Sequence, residues 1–207
     1  MRPSRLTADR LAKAAECLAG RDADLATILR RHGPPPMWGR KPGFPTLVRI
    51  ILEQQVSLAS ARSMFTRLTA NVIPFAAAQF VEMGEPHFRS LGVTRQKAAY
   101  CVNVARAIAA GQLDLVAVGR MSNSHAKAAL TQITGIGPWT AEVYLLMALR
   151  RADVWPAGDL ALLTSLGRLK RLRERPAPAR AAQIAERWKP FRSVAARMLW
   201  QHYLGGM

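Results

Sequence analysis

Acidic residues are scarce in this chain of 207 residues: 13 Asp and Glu stand against 30 Lys and Arg, for a net charge of +17. That is far more than solubility requires, and so large an excess of one sign points to a polyanionic partner. A membrane surface is one polyanion, but it calls for a basic amphipathic helix or a lipidation motif, and the sequence has neither. Long apolar runs are also missing. Stretches such as Tyr144 to Leu149 are a few residues long, too short to span a bilayer. There are two cysteines, Cys17 and Cys101, with no Cys-x-x-Cys pair, and His32, His87, His125 and His202 stand singly. Neither zinc nor an iron–sulfur cluster finds its ligand spacing here, and the cysteines read as small apolar residues in a reducing compartment. The N-terminus carries Arg2 and Arg5 but no apolar segment or cleavage site, and Asp9, Glu16 and Asp22 do not suit a transit peptide. The expected location is the cytoplasm, on the nucleoid.

Alternating β-branched runs are absent as well, and apolar residues recur at three- and four-residue spacing among many alanines, which predicts an all-α fold. Thr7 is placed to cap a helix ended by Gly20, and a short helix runs from about Asp22 to before Gly33-Pro34-Pro35-Pro36. Gly33 to Pro45 reads as irregular. Helices are then expected from Thr46 to Gln54-Gln55-Val56-Ser57, from Ser57 to Leu68, as two short pieces between Pro74 and Gly92, and from Thr94 to Gly111. Ser122 or Ser124 opens another, which runs into Gly135-Ile136-Gly137, and Pro138 restarts a helix through Leu146. The last three are expected over Asp159 to Arg173, Ala179 to Trp188 and Pro190 to Leu204.

The segment with the most chemistry is Leu130-Thr-Gln-Ile133-Thr-Gly135-Ile-Gly137-Pro-Trp139-Thr-Ala141. Two helices joined by a Gly-hydrophobic-Gly turn let the backbone come close to whatever lies outside, because neither glycine carries a side chain. The turn also exposes backbone N–H groups at the N-terminus of the second helix, where the helix dipole favours an anion. A plain helical corner with glycine at its cap reads the same way locally. A Rossmann fingerprint does not fit, since Thr140 stands where its third glycine belongs and a helix precedes the turn.

This segment resembles the helix-hairpin-helix of base-excision DNA glycosylases, in which an aspartate about twenty residues beyond the hairpin is catalytic; Asp159 stands at that place, in Trp155-Pro-Ala-Gly158-Asp159. Ile51-Leu-Glu-Gln54-Gln55-Val56-Ser57 and Trp188-Lys-Pro190-Phe-Arg192-Ser-Val-Ala-Ala-Arg-Met-Leu-Trp200 resemble the DNA-3-methyladenine glycosylase II, or AlkA-like, branch, here without its N-terminal α/β domain. The resemblance runs over about residues 22 to 205 and implies a two-lobed helical fold with a DNA cleft between the lobes. It also implies a monovalent cation, sodium or potassium, on the carbonyls of Thr131, Ile133 and Gly135. Three departures matter. Trp139 replaces the lysine with which bifunctional relatives form a Schiff base, so the resemblance implies a monofunctional enzyme. Two cysteines cannot hold the iron–sulfur cluster of other relatives. Gln201 and Val143 stand where aromatics are expected, which leaves substrate range open.

The chemistry is consistent with one carboxylate. Breaking a nucleoside C1′–N bond builds positive charge on the sugar, which a nearby carboxylate stabilises. A base already cationic, such as an N-alkylated purine, needs no acid to protonate it. Asp159 is the expected catalytic residue, and a simple cap on the helix beginning at Leu160 is its alternative role. The target base must leave the duplex. By resemblance Trp139 and Trp200 form its pocket, with Trp38 and Trp155 as further candidates, and Gln55 fills the emptied stack. Gly135, Gly137 and Thr140 at the hairpin and Arg168, Lys170 and Arg171 beyond Asp159 are expected at the DNA backbone, although such a basic run also suits a solvated helix face.

The expected organisation is residues 1–45 contributing to both lobes, 46–120 as a helical lobe with the wedge, and 121–207 as the hairpin-bearing lobe with Asp159. The expected partner is double-stranded DNA containing alkylated bases, bound by a monomer. A non-catalytic helix-hairpin-helix module is the rival, and Asp159 separates the two, because a pure binding surface has no use for a carboxylate facing phosphates.

Overall fold

A computed structural model describes residues 5–206. Among them the chain forms twelve α-helices: α1 (Ala8–Ala19), α2 (Ala23–His32), α3 (Phe44–Glu53), α4 (Leu58–Asn71), α5 (Ala77–Ser90), α6 (Arg95–Ala109), α7 (Leu115–Arg120), α8 (Asn123–Thr131), α9 (Pro138–Met147), α10 (Leu160–Leu169), α11 (Pro178–Ala185) and α12 (Arg192–Gly205). No strand is found among the described residues, so the all-α expectation holds. Nor is any described helix long and apolar enough to cross a membrane.

Capping chemistry sets most of the boundaries. Side chains of Thr7, Asp22, Ser57, Thr94, Ser122 and Asp159 each accept a backbone N–H in the first turn of the helix that follows, satisfying donors that a helix start leaves unpaired. α5 is two short helices broken at Gly84 (φ 66°), ahead of Pro86. α3 begins two residues before Thr46, because Pro45 fits a first turn where no N–H is needed. α7 is additional to the helices expected from the sequence; Asp114 caps it through the N–H groups of Val116 and Ala117.

The chain divides into two compact units. One consists of residues 40–144. Its core gathers Leu47, Ile50 and Ile51 of α3, Phe80 and Phe88 of α5, and Cys101, Val102 and Val104 of α6, all buried. Burial pushes the Cys101 thiol up to about 12, so it stays neutral and behaves as a small apolar residue. α8, the hairpin turn and the start of α9 belong here too, with Ala126, Leu130 and Ile136 buried, and the division falls inside α9 after Tyr144. This corrects the expected boundary at 120: the hairpin does not share a unit with Asp159. The physical reason is that the Gln54 side chain ties the hairpin turn to the end of α3 within this unit.

The second unit joins, among the described residues, 5–39 to 145–206. Its core brings Leu11, Leu18 and Leu25 together with Leu162, Leu166, Trp188, Met198 and Leu199. A buried polar cluster supports it. Asp22, which caps α2, accepts the Lys170 ammonium at 2.8 Å and the Trp188 indole N–H at 2.9 Å, and Lys170 also reaches Asp24 at 2.7 Å. Burial opposes ionisation of Asp22, but Lys170 and Trp188 outweigh it and hold the carboxyl below its ordinary value.

Candidate functional site

Asp159 is both a cap and something more. Its Oδ1 accepts the Leu162 backbone N–H at 2.9 Å, which starts α10, and the indole N–H of Trp200 at 3.0 Å. Two donors on one oxygen hold the carboxylate in a single orientation at the 9% exposure it retains. Trp200 lies on α12, is itself buried, and meets Trp38 edge to face with centroids 6.4 Å apart and planes at 70°. A carboxylate beside two indoles is thus assembled within one unit from three distant parts of the chain. Trp155, by contrast, packs against Trp188 in the core, with its ring 5.6 Å away. Gln201 uses its amide to cap α2, donating to the His32 carbonyl at 2.9 Å.

In the other unit, α8 and α9 form the hairpin. Gly137 takes the cap position of α9, its carbonyl accepting from Ala141 N–H at 3.0 Å. Being glycine it puts no side chain over the helix start, and a Cβ there would meet nothing within 4 Å. This end of the hairpin therefore has the openness and the dipole that suit a phosphate. Gly135 differs. It has φ 105°, and a Cβ on it would stand 2.6 Å from Cβ of Tyr100, so its missing side chain serves packing on α6 rather than a ligand. Thr140 is also corrected. It is buried at 1% exposure, and its hydroxyl accepts the Gln54 amide at 2.9 Å, which removes it from any DNA surface. The same amide donates to Gly135 O at 3.1 Å. Trp139 is half-buried in the first turn of α9, while Val143 is fully packed.

These bonds also present Gln55. It follows the α3 terminus in left-handed backbone (φ 54°), uncommon for a residue with a side chain, and it is exposed. Gln54 on one side and Lys97, whose ammonium holds the Leu52 carbonyl at 2.7 Å, fix the turn that projects it. Nothing along the chain signals the part Lys97 plays, since its partner is a backbone oxygen 45 residues away.

The carbonyls assigned to a cation fit that role in part by their bonding. Ile133 O accepts from Ile136 N–H at 2.9 Å and Gly135 O from Gln54, which leaves each a second lone pair for an ion. The basic run at the end of α10 splits. Arg168 and Arg171 are exposed. Lys170 is not available to DNA, because the buried Asp22 and the nearby Asp24 take its ammonium at 2.8 and 2.7 Å.

The two glycines predict opposite outcomes. Gly135→Ala should unfold the protein several degrees earlier, through both the positive φ and the Tyr100 clash, at a cost of about 2 kcal/mol or more. Gly137→Ala should leave the melting temperature within about a degree and weaken affinity for duplex DNA instead. Equal melting shifts would remove the distinction.

Comparison with known proteins gives a consistent picture. Residues 48–190 match the model of the HhH-GPD superfamily, base excision DNA repair proteins. A DNA-3-methyladenine glycosylase of Schizosaccharomyces pombe is 30% identical over 198 residues, covering 92% of this chain and 87% of its own. A Bacillus subtilis relative is 26% identical over 185 residues, and there the chain spans 64% of the relative's length. Among solved structures, S. pombe 3-methyladenine DNA glycosylase in complex with abasic DNA superposes with a TM-score of 0.82 at 28% identity, over 91% of this chain and 95% of that one.

Proposed function

The chain belongs to the HhH-GPD superfamily of base excision DNA repair proteins, and from that premise we propose that it is a monofunctional DNA glycosylase acting on alkylated purines such as 3-methyladenine. It binds duplex DNA as a monomer in the cytoplasm, takes the damaged base out of the stack and hydrolyses its N-glycosidic bond, leaving an abasic site. The observation that carries this reading is Asp159, a carboxylate oriented by the Trp200 indole N–H beside an aromatic pair. Asp159 stabilises the positive charge that develops on the sugar as the base departs. Water then supplies the hydroxyl, since the position after the hairpin is Trp139 and has no amine to form a Schiff base.

Binding follows from the charge. Gly137 receives a phosphate at the start of α9, with Arg168 and Arg171 on the backbone and Gln55 filling the gap left by the base. A sodium or potassium ion on the carbonyls of Thr131, Ile133 and Gly135 would add positive charge at the hairpin.

The test is to incubate the protein with methylated duplex DNA and identify every base released. Free 3-methyladenine should appear, borohydride should trap no protein–DNA adduct, and the strand should stay intact until alkali or heat is applied. Efficient trapping would overturn the monofunctional assignment. DNA binding with no base released would make the chain a non-catalytic DNA-binding module.

A further inference from the structure

α12 starts without a side-chain cap of its own. Its first two N–H groups go instead to the segment that leads to Asp159. Arg192 N–H meets Asp153 Oδ1 at 3.2 Å and Ser193 N–H the Ala152 carbonyl at 3.1 Å, which satisfies donors that a helix start leaves unpaired. The helix returns the hold through side chains. The Arg192 guanidinium grips the Asp153 carboxylate as a fork, Nε to Oδ1 at 2.8 Å and Nη2 to Oδ2 at 2.9 Å. The Ser193 hydroxyl accepts Val154 N–H at 2.9 Å and donates to the Val154 carbonyl at 3.1 Å. Ser193 has 0% exposure and is followed by Val194, Ala195 and Ala196, buried as well, so an alanine would fill nearly the same space. What the hydroxyl adds is the pair of bonds to Val154.

The other end of that segment meets the same helix. Trp200 stands two turns beyond Ser193, about 10 Å along one face of α12, and its indole N–H holds Asp159 Oδ1 at 3.0 Å. Between the two ends little is free to move. Trp155 packs on Trp188, Pro156 has its φ fixed by its ring, and Asp159 N–H closes a turn on the Pro156 carbonyl at 3.0 Å. The helix itself is pinned midway by Arg197. That guanidinium is fully buried and donates to the carbonyls of Met37 at 2.9 Å, Ser193 at 3.0 Å and Leu146 at 2.8 Å. Residues 152–159 are thus held at both ends by one helix, with the carboxylate at the second of the two anchor points.

We propose that Ser193, with the Arg192–Asp153 pair, is a positioning residue for Asp159, and that α12 is the ruler that fixes where the carboxylate stands. Trp200 holds one carboxylate oxygen, whereas the clamp at Val154 holds the backbone that carries Asp159 to it. A misplacement of about 1 Å, caused far from the reacting bond, can cost about a hundredfold in rate. The inference rests on the glycosylase reading above, and its test separates the two.

Ser193→Ala removes both bonds to Val154 and little volume. It should slow single-turnover release of 3-methyladenine from duplex DNA about tenfold or more, while affinity for the same duplex stays within about twofold. The proton resonance of the Trp200 indole N–H, assigned by its loss in Trp200→Phe, should move upfield as the carboxylate shifts away from it. Leu11→Ala, a truncation of the buried α1 face, should lower the melting temperature at least as far and change neither rate nor resonance. Arg192→Gln, at a half-buried position, should shift both in the same direction as Ser193→Ala, by about threefold in rate. Should Ser193→Ala not fold, Arg192→Gln decides alone. An unmoved resonance, or a moved one beside release as fast as the parent's, would overturn the proposal and leave the clamp a stabilising contact. A moved resonance in a protein that releases no base would keep the clamp and defeat the glycosylase reading.

Discussion

Asp159→Asn should release alkylated bases about a hundredfold or more slowly than the parent while melting at nearly the same temperature. The substitution is informative because Asp159 has two jobs in the structure. Its Oδ1 starts α10 through Leu162 N–H and anchors Trp200. The carbonyl oxygen of an asparagine accepts both bonds, so helix and indole stay in place and only the charge is lost. A carboxylate about 4 Å from the developing cation, at an effective dielectric near 20, is worth roughly 4 kcal/mol, or about a thousandfold in rate. Affinity for duplex DNA should hold or rise, since a negative charge near phosphates has gone. Single-turnover rates at saturating protein are the proper measure, because they exclude slow product release. Excision within a few-fold of the parent would reduce Asp159 to a helix cap.

The sequence made the local features legible and concealed those that depend on distant partners. Thr7, Asp22, Ser57, Thr94, Ser122 and Asp159 all cap helices as their side-chain chemistry suggests. α7 escaped because six residues hold less than two turns of periodicity, although Asp114 before Leu115-Val116 is a cap signal that could have found it. The pairing of Asp159 with Trp200 joins a motif read from resemblance to an observed bond 41 residues apart. The two hairpin glycines look equivalent in sequence, and only Tyr100, on another helix, separates them. Thr140 looked exposed because it follows the turn, yet the Gln54 amide draws its hydroxyl inward. Arg197 is one of 30 basic residues, and nothing in its neighbours along the chain tells a buried guanidinium from a solvated one.

Lys170→Glu should destabilise the fold by about 3 to 5 kcal/mol, a large share of the stability of an average domain, whereas Arg168→Glu and Arg171→Glu should leave it nearly unchanged. The three residues are neighbours in one basic run, but Lys170 alone neutralises Asp22 and Asp24, and a glutamate there would set a third carboxylate against them. Denaturant midpoints read the difference. The exposed pair should act on DNA, each lost phosphate contact flattening the slope of log affinity against log salt by about 0.9. Acid sharpens the contrast. The folded protein holds the Asp22 carboxyl below its ordinary value, so as pH falls the unfolded chain takes up that proton first. The stabilisation is therefore complete above the ordinary carboxylate range and is lost as pH drops through the depressed value. Lys170→Met, which leaves Asp22 without its ammonium, should raise the pH of acid unfolding, while Arg168→Met should not. A shift of equal size in both would mean that net charge, and not the Asp22 cluster, governs the acid limb.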